Sequence, residues 1–150
     1  MAATKIMIIR HAEKPDDPAG IGGVAPNGAA DAEELTVRGW QRAGALIGLF
    51  APPSARFADP HLALPCVIFA SGTGHHSKSL RPQHTVTPLA EKIGSKVNVT
   101  HLKGDEKALV TDAIATNGVV LIAWEHEAIP TIANLIIGNQ TTCPQSWPGQ

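Results

Sequence analysis

The chain has 150 residues, enough for one domain with its own core. Hydrophobic residues make up 43% and charged residues 17%, too apolar a balance for a disordered chain, and the net charge of -1 gives no electrostatic reason to expect a nucleic-acid or membrane partner. Two cysteines, Cys66 and Cys143, make neither a disulfide framework nor a zinc site, and no stretch approaches the roughly 18 apolar residues of a membrane span.

The first apolar run, Ile6-Met7-Ile8-Ile9, is continuous rather than alternating. That is the pattern of a strand buried on both faces of a parallel sheet. It is too short for the core of a signal peptide, so a cytoplasmic protein is expected. Residues 15–31 are rich in Gly, Ala, Pro and Asp and lack any period, as in a long loop of the kind that serves as a functional lid. Thr36 is placed to cap a helix over 37–50, where Val37, Trp40, Ala43, Ile47 and Phe50 recur at helical spacing and Pro52-Pro53 stops the run. Trp40 is expected in the core. Residues 66–70 (CVIFA) read as a second buried strand with the Cys66 thiol inside, ending in the loop signal Ser71-Gly72-Thr73-Gly74. A helix is expected over 87–93 with Gly94 as its C-cap, then a short strand over 97–100 and a helix over 105–116. Asn117-Gly118 marks a turn before the third strong strand, 119–124. The last helix covers 128–137, with Pro130 acceptable in its first turn. Strands alternate with helices throughout, which predicts one α/β domain with a mainly parallel sheet.

Open α/β sheets bind ligands beyond the carboxyl ends of their strands. Three of the predicted strands end in polar clusters: Arg10-His11; the stretch from Ser71 to Ser77 with Arg81 and His84 after it; and Glu125-His126-Glu127. Parallel neighbours would bring two His and two Arg to one end of the sheet. Arginine presents a planar fork that matches phosphate oxygens. One His can serve as a nucleophile toward phosphorus, a second can donate to a nonbridging oxygen, and a carboxylic acid can protonate the leaving oxygen. The guanidinium groups supply the positive charge, so neither a metal nor a cofactor is expected. Other patterns fall short. Adjacent histidines in a Gly-rich loop, as at His75-His76, are more often exposed to solvent than bound to metal. His126-Glu127 begins a zinc motif, but Pro130 stands where its second His belongs. The Ser71–Ser77 stretch lacks the Gly-Lys-Ser/Thr ending of a P-loop.

Four stretches in order resemble the histidine phosphatase superfamily, the phosphoglycerate mutase-like family. Arg10-His11-Ala12-Glu13 resembles its Arg-His-Gly signature, and LTVRGWQRAGAL its Leu-Thr-x-x-Gly-x-x-Gln-Ala helix. SKSLRPQHTVTPLAEKIG resembles its Ser-x-x-x-Arg-Ala-x-Gln-Thr-Ala helix, and VVLIAWEHEAIPTIANLI its strand ending in Gly-His. The resemblance spans residues 5–137 and implies a three-layer α/β/α fold. It implies His11 as the phosphorylated nucleophile, Arg10 and Arg81 with Ser77 on the phosphate, and His126 as the second pocket His. The proton donor would be Glu106 or Glu127, with Glu106 preferred by position. The substrate implied is a small-molecule phosphomonoester or a phosphorylated protein, hydrolysed without metal. A mutase-like phosphotransferase and a non-catalytic phosphate-ligand binder are the alternatives. Ala12 replaces the usual Gly, Trp124-Glu125 stands where a Gly commonly precedes the second His, and Glu-Lys-Pro-Asp replaces the Ser and Asn of the mutases. The family fold usually has one more strand beyond the point where CPQSWPGQ ends, so a domain short of its final strand is expected.

Overall fold

In the computed structural model, which describes residues 2–148, the apolar runs become four strands: β1 (Ala3–Arg10), β2 (Val67–Ala70), β3 (Val97–Asn98) and β4 (Gly118–Trp124). They form one sheet in the order β1-β4-β2-β3, each neighbouring pair parallel. Between them run α1 (Val37–Phe50), α2 (Arg81–Lys92) and α3 (Glu106–Ala115), and α4 (Ile129–Ile137) follows β4. Side chains alternate along β4 and so build two cores. Leu121 and Ala123 pack with Phe50, Ile68, Val86 and Leu89 under α1 and α2. Val120, Ile122 and Trp124 pack with Leu109, Val110 and Ile132 under α3 and α4. The sheet is thus covered on both faces, in three layers.

The register aligns the carboxyl ends. Arg10 stands opposite Trp124, and Ala70 opposite Ala123. The residues that follow, His11, Glu125 and Ser71, therefore leave the sheet side by side. Thr36 caps α1 as its sequence predicts, its hydroxyl accepting from Gly39 N–H at 3.1 Å. Gly138 ends α4 with a φ of 84°, which a residue with a Cβ adopts only at a cost.

Several elements differ from expectation. β1 lies at the sheet edge, so Ile6 to Ile9 are half-buried rather than enclosed on both faces; β4 takes the fully buried place. α2 starts at Arg81, not at 87, and contains Pro88. Packing of Val86, Leu89 and Ala90 on the sheet outweighs the one main-chain bond that Pro88 removes. Cys66 is exposed, because β2 begins only at Val67 and residue 66 lies at its outer end. β3 is two residues long, not four. Trp40 is half-buried. The 15–31 loop folds on itself through bridges at Asp16–Ile21 and Val24–Ala30. No helix among the described residues is long and apolar enough to cross a membrane.

Candidate active site

His11 is fixed from both ends. Its main-chain N–H continues the sheet, donating to Trp124 O at 3.1 Å. Its ring Nδ1 lies 2.7 Å from Ala12 O. A carbonyl can only accept, so Nδ1 carries the proton and Nε2 keeps its lone pair. Burial is the main cause that lowers the His11 pKa to about 4; the bond to Ala12 O opposes it, and the charges of Arg81, Arg10 and His126 add to it. The imidazole is therefore neutral across the physiological range.

Ala12 is buried, and its N–H donates to Thr85 Oγ1 at 2.8 Å. The Thr85 hydroxyl donates in turn to Arg81 O at 2.7 Å. The Ala in place of Gly is accommodated because φ stays negative there; Ser54 and Ala55 are the only non-glycine residues described with positive φ. The Glu13 carboxylate is tied to α1. It accepts from Arg42 Nε and Nη2 at 2.6 to 3.0 Å, and this pairing holds its carboxyl below the usual carboxylate range.

Arg81 is the first residue of α2. Its Nη1 donates to Ala32 O at 2.9 Å, while its Nε is buried without a partner among the described residues. His126 opens a short 3-10 turn after β4, and its Nδ1 is likewise buried and unpaired. A buried polar nitrogen without a partner costs on the order of 1–3 kcal/mol, and an anion's oxygens would satisfy it. The structure thus brings Arg10, His11, Arg81 and His126 together at the carboxyl end of the sheet.

The carboxylates after β4 and at the start of α3 line a cavity with Lys103. Glu106 opens α3, and its Oε1 accepts from Trp124 Nε1 at 3.0 Å and from Gly104 N–H at 3.1 Å. Glu125 pairs with Lys103 at 2.7 Å, so its charge is matched. Glu106, Glu125, Glu127, Lys103 and His76 line one cavity of about 470 Å³. The hydrogen bond to Glu125, followed by the charges of Glu125, Glu127 and Glu106, pushes the Lys103 ammonium up. The Ser77 hydroxyl is engaged within its own loop, accepting from Ser79 N–H at 3.2 Å. His75 and His76 are exposed, and no group of three metal-ligating side chains occurs among the described residues.

Sequence reasoning missed Thr85, Lys103 and the role of Trp124. Thr85 lies four residues after Arg81, on the same helix face, and that spacing is the signal that would have found it. Trp124 is fully buried, and only the fold shows its indole N–H reaching Glu106. No protein-family model and no curated protein matches the chain.

Proposed function

We propose that the chain is a histidine phosphatase: a metal-independent phosphomonoesterase of phosphoglycerate mutase-like type, working through a phosphohistidine on His11. One observation carries this reading. His11 is neutral, its Nδ1 is fastened to Ala12 O, and the charged side chains that act on it are all basic. Attack requires the unprotonated Nε2, and this environment keeps nearly all of it in that form at pH 7.

The chemistry follows. Nε2 attacks phosphorus, an N–P bond forms, and the P–O bond to the leaving alcohol breaks. Arg10 and Arg81 offset the charge on the phosphoryl oxygens, and His126 donates to one of them. A carboxylic acid, Glu106 or Glu127, protonates the leaving oxygen. Water then attacks phosphorus and gives its proton back to that carboxylate. The N–P bond breaks, and inorganic phosphate leaves. The substrate is a small-molecule phosphomonoester or a phosphorylated protein. The guanidinium charge does the work that a metal ion does in other phosphatases.

Turnover of an aryl phosphate in EDTA is expected for the wild type, with a loss of about 10³-fold or more in His11→Ala. Unchanged turnover in that variant would reject the reading. Glu106→Gln and Glu127→Gln separate the two acids: the variant lacking the donor slows alkyl phosphates much more than aryl phosphates, whose leaving groups need no proton.

The position of the carboxylates favours a second reading. They surround Lys103, and none is among the charged groups acting on His11. A non-catalytic phosphate-ligand binder fits carboxylates that are engaged with Lys103 and Trp124. It predicts phosphate binding with no hydrolysis of any monoester.

A further inference from the structure

Glu34 is a carboxylate in an unusual place. It is 1% exposed, between the glycine-rich loop and α1. Its Oε2 lies 2.7 Å from Nδ1 of His84, which sits on α2 one turn after Arg81. A charge so enclosed needs a partner. Such a pair adds little net stability compared with apolar residues of similar volume. Its presence is better explained by what it holds in place.

It holds the start of α2. Three consecutive residues each make one link to that helix end. Ala32 O accepts from Arg81 Nη1 at 2.9 Å, Glu33 O accepts from Leu80 N–H at 3.0 Å, and Glu34 engages His84. Trp40 backs the clasp. Its ring lies 5.2 Å from that of His84, tilted by 32°, and its Nε1 donates to Val24 O at 2.7 Å. Arg81 and His84 are neighbours on the helix surface. With Nη1 held by Ala32, the planar guanidinium is pinned in one orientation, and its Nε is left buried without a partner among the described residues.

We propose that Glu34, acting through His84, is a positioning residue for Arg81. By locking the 32–34 turn onto the first turn of α2, it sets the guanidinium orientation that an anion meets. The identity of that anion as phosphate rests on the phosphatase reading; the orientation does not.

The test uses the full chain with two readouts: ¹⁵N relaxation of the Arg81 Nε–H, and the Kd of inorganic phosphate. Glu34→Leu cuts the link at similar volume, and Glu34→Ala serves if Leu does not fit. Glu34→Gln keeps an acceptor for His84. In Glu34→Leu the Arg81 Nε–H is expected to become mobile, and phosphate to bind about tenfold more weakly. Glu34→Gln should retain most of both properties, and Glu34→Leu should add nothing to Arg81→Ala. Arg81 as ordered in Glu34→Leu as in the wild type, or additive losses of affinity, would overturn the proposal. If the wild type binds no phosphate, the phosphatase reading fails, and Arg81 mobility still decides the role of Glu34.

Discussion

A buried imidazole between two arginines and a second histidine ties protonation to stability. The unfolded His11 titrates near 6.5 and the folded one near 4. Between those values the unfolded state binds a proton that the folded state refuses. Stability is therefore lost as pH falls from 6.5 to about 4, by roughly 3 kcal/mol when complete. His11→Gln should lack this part of the pH slope in urea unfolding at pH 7 and pH 4; parallel slopes would contradict the assignment. The His11 ring signal in NMR should titrate near 4 in the folded protein. At the same scale, Thr85→Val keeps the shape of the side chain and removes the acceptor of the Ala12 N–H. An unpaired buried amide costs about 1–3 kcal/mol, measurable by urea unfolding, and turnover should drop because Ala12 O orients His11.

Helix α1 approaches the chain after His11 closely enough to dictate a glycine. A Cβ on Gly39 would meet Glu13 O at 2.8 Å and Leu35 Cβ at 3.0 Å. Gly44 and Gly48, in the same helix, have open space at that position. Alanine raises helix propensity by about 1 kcal/mol at each site. Gly44→Ala and Gly48→Ala should therefore stabilise, by up to that amount. Gly39→Ala should instead destabilise, and should lower turnover by pushing on a backbone two residues from His11. Thermal melts of the three variants give the comparison. Equal stabilisation in all three would mean that α1 does not press on the 11–13 segment. Element-scale packing likewise explains α2, which keeps Pro88 inside because its apolar face is anchored on β2 and β4.

Across the whole molecule, the strand order puts β4 at the centre of the chemistry and β1 at the rim. β4 separates β1 from β2, so the loops after all three strands open at one place. Among the described residues β1 pairs with β4 alone. His11 N–H points to β4, and strand alternation sends the Ile9 and Met7 amides the same way. The Ile6, Ile8 and Arg10 amides then face outward. Hydrogen exchange followed by NMR should show slow Met7 and Ile9 beside fast Ile6 and Ile8. Uniform protection along β1 would mean that something covers the edge. The apolar groove of about 260 Å³ there, between Ile6, Ile8, Ile129 and Trp147, leaves the backbone edge itself unpaired among the described residues.

Apolar runs, caps and spacing are local properties, and they were enough to determine the α/β class, the parallel sheet, the cap at Thr36, both ends of α1 and the last residue of α4. They also marked Arg10, His11 and His126, which end or follow apolar runs, and Arg81, which lies in the polar stretch after β2. Local pattern could not say that β1 is an edge strand, since edge and centre differ only in what lies beside them. Nor could it extend α2 back to Arg81, where packing on the sheet overrides the Pro88 signal. Pairing across long separations was equally hidden: Glu34 with His84, Trp124 with Glu106, and the Ala12 amide with Thr85 join residues that nothing in the chain order connects. Those contacts exist only once the strands are ordered and the helices laid on both faces, so tertiary structure alone decided which charges surround His11 and which surround Lys103.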